Sequence, residues 1–341
     1  MIIDIFRSVQ ILHLTVEIDE NSAYLDANKW QQLIICHMPN LRIFDIRYNI
    51  YLGSQYDDMT VKNIISQLKS KINQFESSFW IERQWFFSHN FYLTRYGNDA
   101  IFYSTNPYRR KHYTLYQSLG ETTLLLKSES HLDSVRHVDI QSGQSIINGM
   151  SYFPNATELT FHDALSTTRA SIASILNRII SLKKLIQLAI ECDRFSIQKV
   201  IKILCCAPNL NTIKLKSMLC YKKSNDYTSI KESNDFRQVS KTNTVTNVIC
   251  TTGCTLDQIQ LLVALCPRMK HLSIGGFMTD IESITRFLLN KTNQNTRYLC
   301  LLCFSGTPVN AVQRLDILMK SERLLYDYLL RKIDCILYLW W

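Results

Sequence analysis

One phrase constrains this chain more than any other: a proline followed by apolar residues two, five and seven positions on. It occurs at Pro208 with Leu210, Ile213 and Leu215, at Pro39 with Leu41, Phe44 and Ile46, at Pro154 with Ala156, Leu159 and Phe161, and at Pro267 with Met269, Leu272 and Ile274. Four of the six prolines sit in this frame. Without the proline the spacing continues at Val9, Leu12 and Leu14, at Val135, Val138 and Ile140, at Leu185, Leu188 and Ile190, at Val245, Val248 and Cys250, and at Tyr298, Leu301 and Cys303, giving nine candidate strands. The last two apolar residues of each frame lie two apart and so share one face of a short strand, while the residues between them face the other way. A self-similar segment of this kind predicts an α/β solenoid running over residues 1–341.

Between the strands the apolar period becomes helical. Ser171 caps a stripe of Ile172, Ile175, Leu176, Ile179 and Ile180, and Ser196 caps Ile197, Val200, Ile201 and Leu204 ahead of Pro208. Thr255 to Gln258 and Thr279 to Glu282 both read as capping boxes. Each proline then marks a joint where a helix stops and a strand starts. A doubly wound single sheet would need a glycine-rich phosphate loop, and Gly275-Gly276 in a chain of nine glycines does not supply one.

Two regions break the repeat. Residues 51–130 read as a helix around Val61, Ile64, Ile65, Leu68 and Ile72 followed by aromatic hairpin strands, an insertion within the solenoid. Residues 222–241, rich in Lys, Ser, Asn and Asp, read as a flexible loop. Residues 321–341 carry Leu324, Leu325, Tyr328, Leu329, Ile333, Ile336 and Leu337 among six charges, which predicts a helix capping the end of the array.

Composition narrows function mostly by exclusion. With 46% hydrophobic and 20% charged residues the chain is not disordered, and it has no uncharged apolar window of membrane-spanning length. The start of the chain lacks a secretion-signal pattern, so a cytoplasmic or nuclear location is expected. The eleven cysteines, an odd number, are then reduced. Cys300 and Cys303 have metal-site spacing but no second pair, and a strand would send them to opposite faces. His162-Asp163 has no nucleophile placed beside it. No catalytic, metal or cofactor residue is therefore expected, and the chain reads as non-enzymatic. A net charge of +9, Arg109-Arg110-Lys111-His112 beside Tyr103, Tyr108 and Tyr113, and Lys214, Lys216, Lys222 and Lys223 leave nucleic-acid binding through basic and aromatic patches as the alternative.

The Pro-Asn-Leu strands at 39–46 and 208–215 with capped helices between them resemble the leucine-rich-repeat portion of F-box/LRR proteins. The segment Phe79-Trp80-Ile81-Glu82-Arg83-Gln84-Trp85-Phe86 looks like an insertion in a divergent branch of F-box proteins. The resemblance implies a ribonuclease-inhibitor-like horseshoe that reads a protein partner on its concave strands, as the substrate receptor of a cullin-based ubiquitin ligase. The family's F-box, a helical module opening on Leu-Pro, is not found, since only eight residues precede Val9, so docking on the cullin adaptor requires an F-box supplied upstream. The usual Asn or Cys after the strand is present at Asn49 but replaced by Gly143, Ala164, Met218 and Phe277. The residues expected to bind the partner are the alternating spacers: Arg42, Asp45 and Arg47; Arg136, His137 and Asp139; Glu158, Thr160 and His162; Gln187 and Glu191; Lys214 and Lys216; His271 and Ser273.

Overall fold

A computed structural model describes residues 6–19, 22–52, 57–94, 97–106, 111–115, 117–118, 132–143, 146, 151–162, 171–193, 195–216, 225–276 and 280–341. The chain divides into two compact units, Met1–Lys111 with Tyr116–Val135, and His112–Leu115 with Arg136–Trp341.

The first unit is a mixed five-stranded sheet. Strands β1 (Ile11–Asp19) and β2 (Ile43–Tyr51) run parallel, joined by the helix Ala27–His37, whose first turn is capped by Asp26 accepting from the Lys29 amide. Strand β2 alternates cleanly, burying Phe44, Ile46, Tyr48 and Ile50. Its other edge takes β4 (Gly97–Asn106), which forms an antiparallel pair with β3 (Phe86–Thr94), and the short β6 (Gln117–Ser118) completes the sheet. Where β4 leaves the ladder, buried Ser104 replaces a backbone partner: its Oγ accepts from the Ile46 amide at 2.9 Å and donates to the Phe44 carbonyl at 3.2 Å. The core beneath is aromatic, with Phe75 and Trp80 at 4.9 Å and Phe75 and Phe102 at 4.9 Å between ring centres.

This unit corrects the expected domain plan. The frames at Val9 and Leu41 are not coils of an array over 1–341, because their nine-residue strands pair with each other and then with β4. The helix and hairpin of residues 51–130 are not an insertion into a solenoid; the hairpin completes the sheet that β2 begins. The physical reason lies in β2, whose alternation runs for its full length and buries a whole face that needs covering.

The second unit is built on an open ten-stranded sheet. Eight strands run parallel: β5 (His112–Leu115), β7 (His137–Ile140), β8 (Glu158–Phe161), β9 (Gln187–Ile190), β10 (Thr212–Leu215), β11 (Asn247–Cys250), β12 (His271–Ile274) and β13 (Leu301–Ser305). They stack in sequence order, and their second and fourth residues, such as Val138 and Ile140 or Ile213 and Leu215, are buried. Helices Ile172–Leu176, Ile197–Cys206, Leu256–Leu265 and Ile281–Leu288 lie between strands. Thr255 and Gln258 form the expected capping box, and the Ser196 hydroxyl accepts from the Gln198 amide. Asp280, by contrast, begins its helix with no side-chain cap bond, and Thr279 lies outside the described residues.

The proline joints are real at Pro208 and Pro267. The helices before them close with the Ala207 amide on Leu204 and the Cys266 amide on Leu262, and Leu210 and Met269 then enter the core. Ahead of Pro154, Phe153 makes a parallel bridge with Ile180.

Three further expectations are corrected here. Residues 222–241 are not a loop throughout: helices Asn225–Glu232 and Asn234–Thr242 occupy 225–242, the second capped by Ser233 and burying Phe236 and Val239. Residues 321–341 are not a capping helix. The helix Ala311–Ser321 precedes them, and they form a hairpin of β14 (Leu329–Ile333) and β15 (Ile336–Trp340), with β15 antiparallel to β13. Asp334 at φ 53° makes the turn, and alternation in Ile336 to Trp340 buries Leu337 and Leu339. Lastly, the frame at Tyr298, Leu301 and Cys303 is shifted by one: Leu299, Leu302 and Phe304 are buried, and Tyr298 is exposed.

Candidate functional site

In-register parallel pairing aligns the first and third residues of the strands, and the residue after each strand, into three rows across the sheet of the second unit, with Thr160 and Ala189 buried within them. The first row runs His112, His137, Glu158, Gln187, Thr212, Asn247, His271 and Leu301, and ends on Trp340 and Leu329. The second runs Thr114, Asp139, Thr160, Ala189, Lys214, Ile249, Ser273 and Cys303, and ends on Tyr338 and Arg331. The third begins one residue past the strands. The amides of Gln141, His162, Glu191, Lys216 and Thr251 each bond the carbonyl that ends the preceding strand, at 2.7 to 3.0 Å. At Gly275 the third row has no side chain, because a Cβ there would lie 2.5 Å from the Thr251 carbonyl oxygen.

The expected site residues divide accordingly. His137, Asp139, Glu158, Thr160, His162, Gln187, Glu191, Lys214, Lys216, His271 and Ser273 all fall on this face. Arg136 lies just ahead of β7, exposed, its guanidinium donating to the Asn155 carbonyl at 3.0 Å. Arg42, Asp45 and Arg47 belong to the first unit and so are not brought into the rows; there Asp45 pairs with His13 at 3.0 Å.

Charge is unevenly spread along the rows. On β5 to β10 the face is a mesh of paired ions. Lys214 Nζ lies 2.7 Å from Glu191, Lys216 Nζ 3.3 Å from Asp193, and His162 Nε2 3.2 Å from Asp139, which also accepts from Gln141. His137 is the most enclosed of this group. Its Nε2 bonds Thr160 Oγ1 at 2.8 Å, its ring sits 4.4 Å from that of His112, and its Nδ1 stands 4.0 Å from Glu158, too far for a hydrogen bond. Burial, then the charge of His112, pushes the His137 pKa below its ordinary value, against the opposing pull of Asp139 and Glu158.

From β11 onward the face changes character. Its positions are Asn247, Ile249, Thr251, His271, Ser273, Gly275, Leu301, Cys303, Ser305, Trp340, Tyr338, Ile336, Leu329, Arg331 and Ile333, with no carboxylate among them. Tyr338 and Trp340 stack with ring centres 5.1 Å apart and 10° between planes. Sequence reasoning reached only His271 and Ser273 in this half. It assigned Leu301 and Cys303 to the core and the hairpin to a helix, because the apolar runs Leu299 to Phe304 and Ile336 to Trp340 carry no period-two contrast.

Other chemistry is limited. Among the described residues no group of three or more His, Cys, Asp or Glu side chains is placed to hold a metal ion, and no helix is long and apolar enough to cross a membrane. Cys303 faces the rows while Cys300 stands before the strand with its thiol on the Lys270 carbonyl. Asp163, Arg109, Arg110, Lys222 and Lys223 lie outside the described residues. The first unit has a cavity of about 330 Å³ lined by Ile72, Phe75, Trp85, Phe86 and Phe87 with Glu76 and His89 at its polar side. Burial, with Lys69 nearby, lowers the His89 pKa. No protein-family model matches the sequence, and no characterised protein matches it significantly.

Proposed function

We propose that the second unit is a leucine-rich-repeat solenoid of the F-box/LRR kind and binds a protein partner across the three rows, without catalysing a reaction. The observation that carries this reading is the division of labour along eight parallel strands: in each, the second and fourth residues are core, and the first and third stack in register as columns that are partly exposed except where Thr160 and Ala189 are buried. Stacked short strands of this type give extended surfaces suited to polypeptides rather than enclosed pockets for small molecules. Attachment to a cullin adaptor would come through an F-box supplied upstream.

Nucleic acid is the weaker reading. Lys214 and Lys216, two of the cations it relied on, are already paired with Glu191 and Asp193, so few counterions would be released by binding a phosphate backbone.

The test places a photo-cross-linking amino acid at Lys214, on the rows, and separately at Lys202, on the exposed side of the helix Ile197–Cys206. A discrete protein adduct from position 214 and none from 202, lost on reversing His137 and Glu158 to Glu and Lys, is the expected result. Equal labelling from both positions, or labelling that nuclease removes, overturns the proposal.

A further inference from the structure

The ten-stranded sheet ends on β14, which pairs with β15 and with no other strand among the described residues. Among the described residues no backbone hydrogen bond reaches Leu329 to Ile333 except from β15. The hairpin turns in two residues, Asp334 and Cys335, so the pair Ile333 and Ile336 closes it and every second residue back, Arg331 and Leu329, spends its amide and carbonyl on β15. The backbone groups of Leu330 and Lys332 therefore face the open edge. The strand is held in place for a partner: Tyr328 at its start donates to Asp316 at 2.7 Å, fastening it to the helix Ala311–Ser321.

Side chains define what this edge accepts. Leu329, Arg331 and Ile333 continue the rows beside Trp340, Tyr338 and Ile336, with Leu329 58% and Ile333 44% exposed. Arg331 and Lys332 are both exposed and carry no ion pair among the described residues, while the nearest carboxylates in sequence, Asp327 and Asp334, lie beyond the two ends of the strand. A second copy of the chain is a poor occupant. Antiparallel pairing centred on Arg331 sets Arg331 against Arg331 and pairing centred on Lys332 sets Lys332 against Lys332, both of which cost stability, and pairing centred on Leu330 leaves Arg331 and Lys332 opposite no carboxylate.

We infer that β14 is a strand-addition site for an extended polypeptide segment of apolar and acidic residues. Its backbone bonds Leu330 and Lys332, its apolar side chains lie against Leu329 and Ile333, and its carboxylates face Arg331 and Lys332. Main-chain bonds supply the grip and these alternate side chains the selectivity. This site uses the sheet's edge, so it stands whether or not the rows bind a partner.

The experiment measures fluorescence anisotropy of two labelled peptides on the full chain, one with the core Val-Val-Glu-Glu-Val and one with Val-Val-Lys-Lys-Val. The glutamate peptide is expected to bind and the lysine peptide to bind at least about tenfold more weakly, with R331E/K332E inverting that order. Lys332→Pro removes one outward amide without touching the bonds to β15, and is expected to weaken the glutamate peptide by at least about tenfold with an unchanged melting curve. Should that variant fail to fold, a glutamate peptide methylated at its backbone nitrogens replaces it, and is expected to lose binding equally. Absence of glutamate-peptide binding, equal affinity for both peptides, or full binding by the methylated peptide overturns the inference. So does a concentration-dependent dimer in sedimentation, the outcome if a second copy is the true occupant.

Discussion

Leu301 and Leu302 are adjacent leucines in β13 that the two possible frames assign to opposite faces, so truncating each decides which frame is real. In the structure Leu302 is fully buried, flanked in register by Leu272 on β12 and Leu339 on β15, whereas Leu301 is half-buried on the rows. Leu302→Ala removes buried methylenes and leaves a cavity between two strands that cannot collapse independently, a loss of about 3 kcal/mol. Leu301→Ala removes partly solvated surface for about 1 kcal/mol or less. In a unit of this size each kcal/mol moves the melting temperature by about 2–4 °C. Leu302→Ala should therefore lower Tm by about 6–12 °C and Leu301→Ala by less than about 4 °C. Circular-dichroism melting of the two variants beside the parent is sufficient. A larger loss at Leu301 than at Leu302 would restore the unshifted frame, move Cys303 into the core and refute the surface on which the rows depend.

Asn243 is buried, its Nδ2 donating to the Val239 and Leu265 carbonyls and its Oδ1 accepting from the Val245 amide. Asn243→Ala should cost about 2–4 kcal/mol in urea unfolding, because it strands backbone groups of two elements. Thr255→Ala, which dismantles the capping box, should cost about 1 kcal/mol by the same measurement. Asp334→Gly relieves a positive φ of 53° at the hairpin turn and should raise stability by about 0.5–1 kcal/mol. His137 has its folded pKa below the ordinary 6.5, so the native state holds fewer protons than the unfolded one. Its contribution is intact above 6.5 and is lost as pH falls through 6.5 toward the lowered value, and His137→Gln should flatten that part of the urea-midpoint profile.

The strands were legible where apolar and polar residues alternate against a fixed joint. Pro208 and Pro267, the helices before them and the buried pairs Ile213 with Leu215 and Leu272 with Ile274 follow from spacing alone. The same frame misled at Pro39, because a proline joint and the pair Phe44 and Ile46 cannot say whether a strand stops at four residues or runs to nine. That depends on pairing with β4, a contact made across more than fifty residues. The polar stretch 225–242 was misread for a related reason: its two helices are held by a few apolar anchors, Ile230, Phe236 and Val239, within a composition that otherwise resembles a loop.

The rows were legible on β7 to β10 and illegible on β13 to β15, and one physical cause accounts for both. Where the face is charged, as at His137 and Asp139 or Lys214 and Lys216, period-two contrast with the core is strong and the register can be read. Leu299 to Phe304 and Ile336 to Trp340 are instead near-continuous apolar runs, so a shift of one residue costs nothing in hydropathy, and a strand can be taken for a helix. Such runs belong to strands buried on both faces. Among the described residues one face of β13 and β15 is buried, at Leu302, Phe304, Leu337 and Leu339, while Leu301, Cys303, Tyr338 and Trp340 on the other are half-exposed. The loss of contrast is what the proposed partner surface would show: apolar side chains on a face that the described residues leave half-exposed.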